Sequence, residues 1–384
     1  MSRGCLRRGS SVSEESEKDK AEPEASESLI PPTHTAGETL AASTPRDISQ
    51  ISREERQSCY KKNAFKIPKL KTKNHNPFFR SPSSSSTTTT MIVTRFLIFL
   101  FISTVVNSTF NLPKSDMNLL EFPLNLEFFE AEYFLFGSMG KGLDTIEPDL
   151  AAGGPPPIGT QQANLSLLVR DIITQFGYQE IGHIRAIKKI VQGFSRPLLN
   201  LSADSFATVM NAAFEIPLSP PFDPYANDIN YLISCYVIPY VGLTGYVGAN
   251  PKLRSPISRK LVAGLLGVES GQDAVIRSLL YERANEKVVP YETTVAEFTQ
   301  KISQLWDKLG NSGLKDEGLK VPIELGAEKK IQGNVLAGDE DSLAYGRTPQ
   351  EILRIVYGTG DEHAPGGFYP NGGNGVIAKR YYKR

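Results

Sequence analysis

Glu180-Ile181-Gly182-His183 sets a carboxylate and an imidazole three residues apart. On a helix that spacing is close to one turn, so both side chains share a face. Carboxylate oxygen and imidazole nitrogen together suit iron or manganese. In a helical bundle, a di-metal centre takes one Glu from each of two helices and a Glu-x-x-His pair from each of the other two. After residue 108 only one other histidine follows, His363, in a Gly-rich tail. Glu269-Ser270-Gly271-Gln272 keeps the spacing of a second pair but has an amide where the imidazole belongs. An amide oxygen is a weak neutral ligand. Glu127 is the candidate on a third helix, with Glu130 as an alternative one turn on. On the fourth, the corresponding position falls on Pro239, which has no ligand atom. The metal candidates are therefore Glu127, Glu180, His183, Glu269 and Gln272, a depleted set.

Four long helices must position these residues. From residue 117 to 310 the apolar period is close to 3.5, which predicts helices over about 119–137, 161–192, 227–248 and 256–287. Pro123 sits in the first turn of the first helix or kinks it, and Pro239 should kink the third. Ser255 before Pro256 is a good cap for the fourth. Stepping three and four residues writes each core stripe. The second helix gives Val169, Ile173, Phe176, Glu180, His183 and Ile187. The fourth gives Val262, Leu265, Glu269, Gln272, Ile276 and Leu279. The first gives Leu124, Glu127, Ala131 and Phe134, and the third Leu232, Cys235, Pro239, Gly242 and Tyr246. Carboxylates inside apolar stripes must be paired or bind a cation, because a lone buried charge is expensive. With no convincing strand between the helices, the fold class is all-α: an antiparallel four-helix bundle over 116–290.

Beyond it, residues 291–384 form an irregular C-terminal extension. It has a helix over about 294–309 carrying Trp306, and a capping box at Thr348-Pro349-Gln350-Glu351 for a short helix. Its tail, 363–373, is rich in Gly and aromatic residues; it packs on the bundle or stacks on polysaccharide. Gly137 to Gly142 lacks the spacing of a phosphate loop and reads as a helix end.

The front differs. Residues 1–90 are rich in Ser, Pro and charge and predict a disordered extension. At Met91 a short basic start leads into an apolar run from Phe96 to Val106, followed by small residues. That describes a signal peptide over 91–108, too short for a transmembrane helix. A signal peptide belongs at the start of a chain, so Met91 reads as the initiator and residues 1–90 as no part of the mature protein. The alternative is a genuine tail with an organelle address. A mature form beginning near Thr109 would be secreted to the extracellular space and cell wall, with no stable membrane span. Sequons stand at Asn164 and Asn200; Asn200, in a loop after Pro197, is the better glycosylation site, since Asn164 opens a helix.

The 384 residues carry 42 basic and 42 acidic side chains, but residues 109–384 carry 26 basic and 31 acidic. No positive footprint exists there for nucleic acid. Three cysteines exclude a disulfide scaffold and a Cys-based zinc cluster. Cys235, in an apolar run, reads as a small buried side chain.

Four segments in order resemble the plant desiccation-related proteins, secreted members of the ferritin-like superfamily. They are Leu124-Asn125-Leu126-Glu127-Phe128-Phe129-Glu130-Ala131-Glu132-Tyr133-Phe134, Gln179-Glu180-Ile181-Gly182-His183, Gly242-Leu243-Thr244-Gly245-Tyr246-Val247-Gly248-Ala249 and Gly267-Val268-Glu269-Ser270-Gly271-Gln272. The resemblance covers about residues 116–384 and implies a ferritin-like fold, a signal peptide and a link to water stress. The missing His and bridging Glu imply a non-catalytic protein with a degraded di-metal site, acting by binding or protection, without a resident cofactor. The alternative is a metal-binding protein holding one iron or manganese ion, with residual oxidase or peroxidase activity. A cell-wall polysaccharide or a protein is the expected partner.

Overall fold

Proline and capping residues set the helix boundaries. The computed structural model describes residues 112–382, so the extension at 1–90 and the signal sequence at 91–108 lie outside the described residues. Around Pro123 the first predicted helix divides into α1, Lys114–Glu121, and α2, Leu124–Met139. Gly140 ends α2 at φ 72°, and its N–H donates to the carbonyl of Phe136. Two short turns, α3 at Leu143–Ile146 and α4 at Pro148–Ala151, lead to α5, Leu167–Lys188. That helix starts later than its pattern predicts because Ser166 caps it, its Oγ accepting from Val169 N. Next come α6, Ala203–Phe214, and α7, Asp228–Tyr236. The third predicted helix breaks here rather than kinks, and α8, Pro239–Ala249, restarts with proline as its first residue. Ser255 caps α9, Pro256–Glu282. Capping boxes at Thr294/Glu297 and Thr348/Glu351 open α10, Val295–Gly310, and α11, Pro349–Val356. The last helix is α12, Gly375–Tyr382.

Cross-helix neighbours fix the directions. Glu127 meets His183 while Leu135 lies against Gly177, so α2 and α5 are antiparallel. Tyr231 packs on Gly137 and Gly242 lies near Leu126, so α7 and α8 also run against α2. Glu180 meets Gln272 and His183 meets Glu269, so α9 runs against α5. It follows that α5 and α7–α8 point the same way. The segment 189–227, with α6 inside it, supplies the crossover that this requires. A four-helix bundle with one long crossover is the ferritin-like arrangement. Among the described residues there are no strands, only isolated bridges.

The predicted stripes are the core. Their apolar members are buried, Cys235 included, except Leu279, which is half-buried. The segment Asp228–Lys252 is apolar enough to cross a membrane by length and composition, yet it is mostly buried against its neighbours. The C-terminal extension closes over the bundle. Trp306 on α10 donates through Nε1 to the carbonyl of Val237, at the break between α7 and α8. In the tail, Phe368 stands edge-on to Phe129 at 5.0 Å, and Tyr369 donates to the carbonyl of Asn125. Both rings are buried, which removes them from any stacking on polysaccharide. The expected order of sequon access is reversed: Asn164 is exposed in the loop before α5, whereas Asn200 is half-buried and its Oδ1 accepts from Ser202. Ser166, not Asn164, opens α5, and that explains the difference.

Candidate metal centre

Four helices bring polar side chains to one level of the core. Glu127 comes from α2, Glu180 and His183 from α5, Tyr246 from α8, and Glu269 and Gln272 from α9; all are buried. Nδ1 of His183 lies 3.2 Å from Glu127 Oε2, 3.1 Å from Glu180 Oε2 and 3.1 Å from Glu269 Oε1. One ring nitrogen has at most one proton to give, so three carboxylate oxygens around it exceed what hydrogen bonding requires. The ligand atoms of these four residues all lie within 4.8 Å of one another. The sequence therefore placed Glu127, Glu180, His183 and Glu269 correctly on inward faces, and the fold brings them together.

Gln272 leaves its Oε1 buried without a partner and uses its amide nitrogen on its neighbours. Its Nε2 donates to Glu180 Oε1 at 2.6 Å and to Gln179 Oε1 at 3.1 Å, which holds the Glu180 carboxylate in place. A residue missed as functional is Tyr246, whose hydroxyl donates to Glu127 Oε1. It sits in the predicted α8 stripe and reads there as an apolar core ring; its hydroxyl was the available signal. Glu130 is present in addition to Glu127 rather than instead of it. Pro239 is the first residue of α8, and Gly242 and Tyr246 follow it along the predicted stripe, so the α8 position level with Glu127 falls on Tyr246 rather than on Pro239. Where α8 offers no carboxylate, Glu130 Oε1 of α2 reaches toward the empty side of Gly242. His363 stays outside, exposed and 3.0 Å from Asp361.

The charges do not balance among themselves. Four buried carboxyl groups face one imidazole. Burial pushes Glu180 and Glu130 well above the usual carboxylate range, and the negative charge of neighbouring Glu269 and Glu127 adds to this. Burial also lifts Glu269 to about 7, despite its bond to His183. Burial works against Glu127 as well, but the His183 charge and the hydrogen bonds it receives hold that group below its usual value. Burial alone would lower His183; the surrounding carboxylates reverse this and keep it protonated. Taking one ion out of water costs several kcal/mol, whereas burying an apolar side chain gains roughly 1.5–3 kcal/mol. Four acids at one level thus weaken the bundle unless a cation answers them.

The donor set fits such a cation. Three carboxylates and an imidazole suit divalent iron or manganese. Among the described residues, Glu130 Oε1, Glu269 Oε2 and Gln272 Oε1 are buried without a hydrogen-bond partner, and native interiors rarely leave such atoms bare without a functional reason.

Comparison with known proteins agrees with the geometry. The profile of the ferritin-like domain matches residues 115–282, which span all four bundle helices. The chain is 65% identical over 265 residues to the desiccation-related protein PCC13-62 of Craterostigma plantagineum, covering 69% of this chain and 85% of that one. It is 57% identical over 268 residues to the ferritin-like catalase Nec2 of Nesocodon mauritianus, covering 70% and 86%. No solved structure matches. With its bundle, its crossover and the length of these matches, the chain belongs to the ferritin-like, desiccation-related protein family of plants.

Proposed function

We propose that the chain is a stress-related metalloprotein that binds divalent iron or manganese through Glu127, Glu180, His183 and Glu269 and disproportionates hydrogen peroxide to dioxygen and water. The convergence of three carboxylate oxygens on His183, beside further carboxylate oxygens with no partner, carries this reading. The 57% identical relative named a ferritin-like catalase supports the direction. A bound iron or manganese ion would supply the redox chemistry that passes electrons from one peroxide to another. The chain's own residues do the rest. Tyr246 orients Glu127 and Gln272 orients Glu180, which fixes the ligand directions before any ion arrives. Glu130, with its free Oε1, is the carboxyl placed to take a proton from one peroxide and return it to the next. The apolar residues around them keep bulk water out.

Metal analysis of the purified protein, alongside Glu180→Gln, tests the binding. Oxygen evolution from peroxide by the loaded protein tests the chemistry. Bound iron or manganese that is lost in the variant, with oxygen released, is the expected result. A wild-type protein that holds no ion would end this reading. A protective, non-catalytic role, with a cell-wall polysaccharide or protein as partner, is favoured by one observation: Gln272 already satisfies Glu180 where a second imidazole would sit. Metal bound without oxygen release would select it. We also place the site of action outside the cell; an N-terminus near Thr109 on the mature protein would support secretion, and retention of residues 1–90 would refute it.

A further inference from the structure

A narrow cavity of about 30 Å³ lies between α2 and α8. Space of that size holds about two water-sized molecules. Glu127, Glu130, Tyr246 and Glu269 line it, and its other walls are mainly apolar, Phe122 and Leu126 among them; Lys252, also in its lining, is exposed to solvent. Glu130 and Glu269 each carry an unpartnered oxygen, so the cavity adjoins the unused side of the centre.

Three glycines of α8 line this space, and they are not equivalent. A Cβ on Gly245 would come within 2.6 Å of Ile352 Cδ1, and one on Gly248 within 2.1 Å of the Arg347 carbonyl oxygen. The backbone oxygen cannot give way, so close packing requires glycine at 248, whereas at 245 the end of the Ile352 side chain would have to shift. A Cβ on Gly242 would meet nothing nearer than Leu126 Cδ2 at 3.6 Å and Glu130 Oε1 at 3.7 Å, ordinary van der Waals separations. Packing therefore permits alanine at 242, and alanine would strengthen the helix. What glycine preserves there is open space beside Glu130.

We propose that Gly242 keeps open the path by which hydrogen peroxide reaches the centre, and that the width of this path excludes bulky organic hydroperoxides and phenolic reductants. The inference rests on the peroxide-handling reading of the same site. It makes Gly242 a specificity-determining position that binds nothing itself.

The full-length protein, loaded with Co(II), is mixed with azide, and the association rate is followed by visible absorption. Wild type is compared with Gly242→Ala, Gly242→Val and, as a helix-propensity control, Gly264→Ala on α9, where an added Cβ would meet nothing within 4 Å. Metal content should be equal in all four, and Gly242→Ala should melt no lower than wild type. Azide association should fall severalfold in Gly242→Ala and further in Gly242→Val, with Gly264→Ala unchanged. Should Gly242→Val fail to fold, the alanine variant decides. An unaltered azide rate in metal-loaded Gly242→Ala overturns the proposal, as does wild-type turnover of cumene hydroperoxide at the rate of hydrogen peroxide. Wild type that binds metal but releases no oxygen refutes the catalytic reading while the azide rates still judge the path. Wild type that binds no metal overturns both.

Discussion

Two buried polar clusters sit side by side on α9, one around Glu269 and Gln272, the other around Asp273 and Arg277. The first has a surplus of acceptors. Four carboxyls share one imidazole, the Gln272 amide and the Tyr246 hydroxyl, and three of the cluster's oxygens lack partners among the described residues. The second is organised by donors that are fully used. Arg277 donates to the carbonyls of Glu317, Gly318, Asn334 and Val335 and to the Tyr236 hydroxyl, at 2.7 to 3.3 Å. Its guanidinium also lies over Tyr236 at 5.1 Å. Nearby, Arg347 bonds Thr244 of α8 and Asp316, which also accepts from Ser303 of α10. These arginines fasten the C-terminal extension to the bundle, Arg277 mainly through main-chain carbonyls and Arg347 through side-chain oxygens. The contrast separates two uses of buried charge. One cluster is built around an arginine that ties the extension to the bundle, although Asp273 Oδ1 lacks a partner there too; the other gathers a surplus of carboxylates that could hold a metal ion.

The sharpest way to break that contrast is to remove one group from each. Arg277→Met strips the Asn334 and Val335 carbonyls of their donor, while those of Glu317 and Gly318 keep Tyr236 and Asn334, and breaking a buried charge network in this way costs about 3–5 kcal/mol. Glu180→Gln should change the metal-free protein by less than about 1 kcal/mol, because burial already favours the neutral form of that carboxyl. Urea unfolding of both variants without metal measures the difference. Equal losses would show that both clusters are structural.

The two clusters also differ in how far they can be read in the sequence. Glu180 and His183 announce themselves by spacing, and Glu127, Glu269 and Gln272 follow because they interrupt apolar stripes. Periodicity records which face turns inward, and that was enough to gather the ligands. It could not say that the Gln272 amide nitrogen would hold Glu180, since that depends on a cross-helix distance. Nor could it find Tyr246, since a tyrosine in a core stripe looks like any buried ring. Stepping through the third helix put Gly242 and Tyr246 on the inward stripe, but it could not tell that Tyr246 rather than Pro239 would stand level with Glu127. Arg277 gave no signal at all. Its partners at 317–335 lie 40 or more residues away in an irregular segment without period. The same holds for Asn125, which bonds to Asn374 across 249 residues.

The dependence on pH should divide the clusters next. Burial first, and neighbouring charge second, raise Glu180 and Glu130, while burial lifts Glu269 to about 7. Folded protein thus holds protons that the unfolded chain releases above its ordinary carboxylate pKa. The stability these groups add is complete below that ordinary pKa and is lost as pH rises, for Glu269 through about 7 and for Glu180 and Glu130 through their own raised values. A metal ion must displace the same protons, so its affinity rises over the same range. Between about pH 5 and 8 the metal-free protein should lose up to about 1.4 kcal/mol per pH unit for each such proton, while the Mn(II)-saturated protein should not. Asp273, which burial also raises to about 7 despite Arg277, contributes with the same sign. Asp273→Asn should remove that share and leave the response to metal intact. Denaturation at several pH values with and without Mn(II) checks both. A metal-free protein that gains stability with pH would contradict the assignment.

The finest distinction concerns two tyrosine hydroxyls. Tyr246 donates to Glu127, a candidate ligand, while Tyr236 accepts from Arg277 and donates within the fastening network. Tyr246→Phe keeps the ring in place and removes one hydrogen bond, worth about 1 kcal/mol of stability, whereas Tyr236→Phe removes three. Loss of stability cannot by itself reveal a part in metal binding. Metal affinity can. Without its donor, Glu127 loses a fixed orientation, and outer-shell losses of this kind weaken metal binding by about 10- to 100-fold. Tyr246→Phe should fall in that range in a Mn(II) competition titration, and Tyr236→Phe should match wild type. If Tyr236→Phe weakened Mn(II) as much, the neighbouring clusters would be one coupled network, and the separation drawn between fastening and binding would be false.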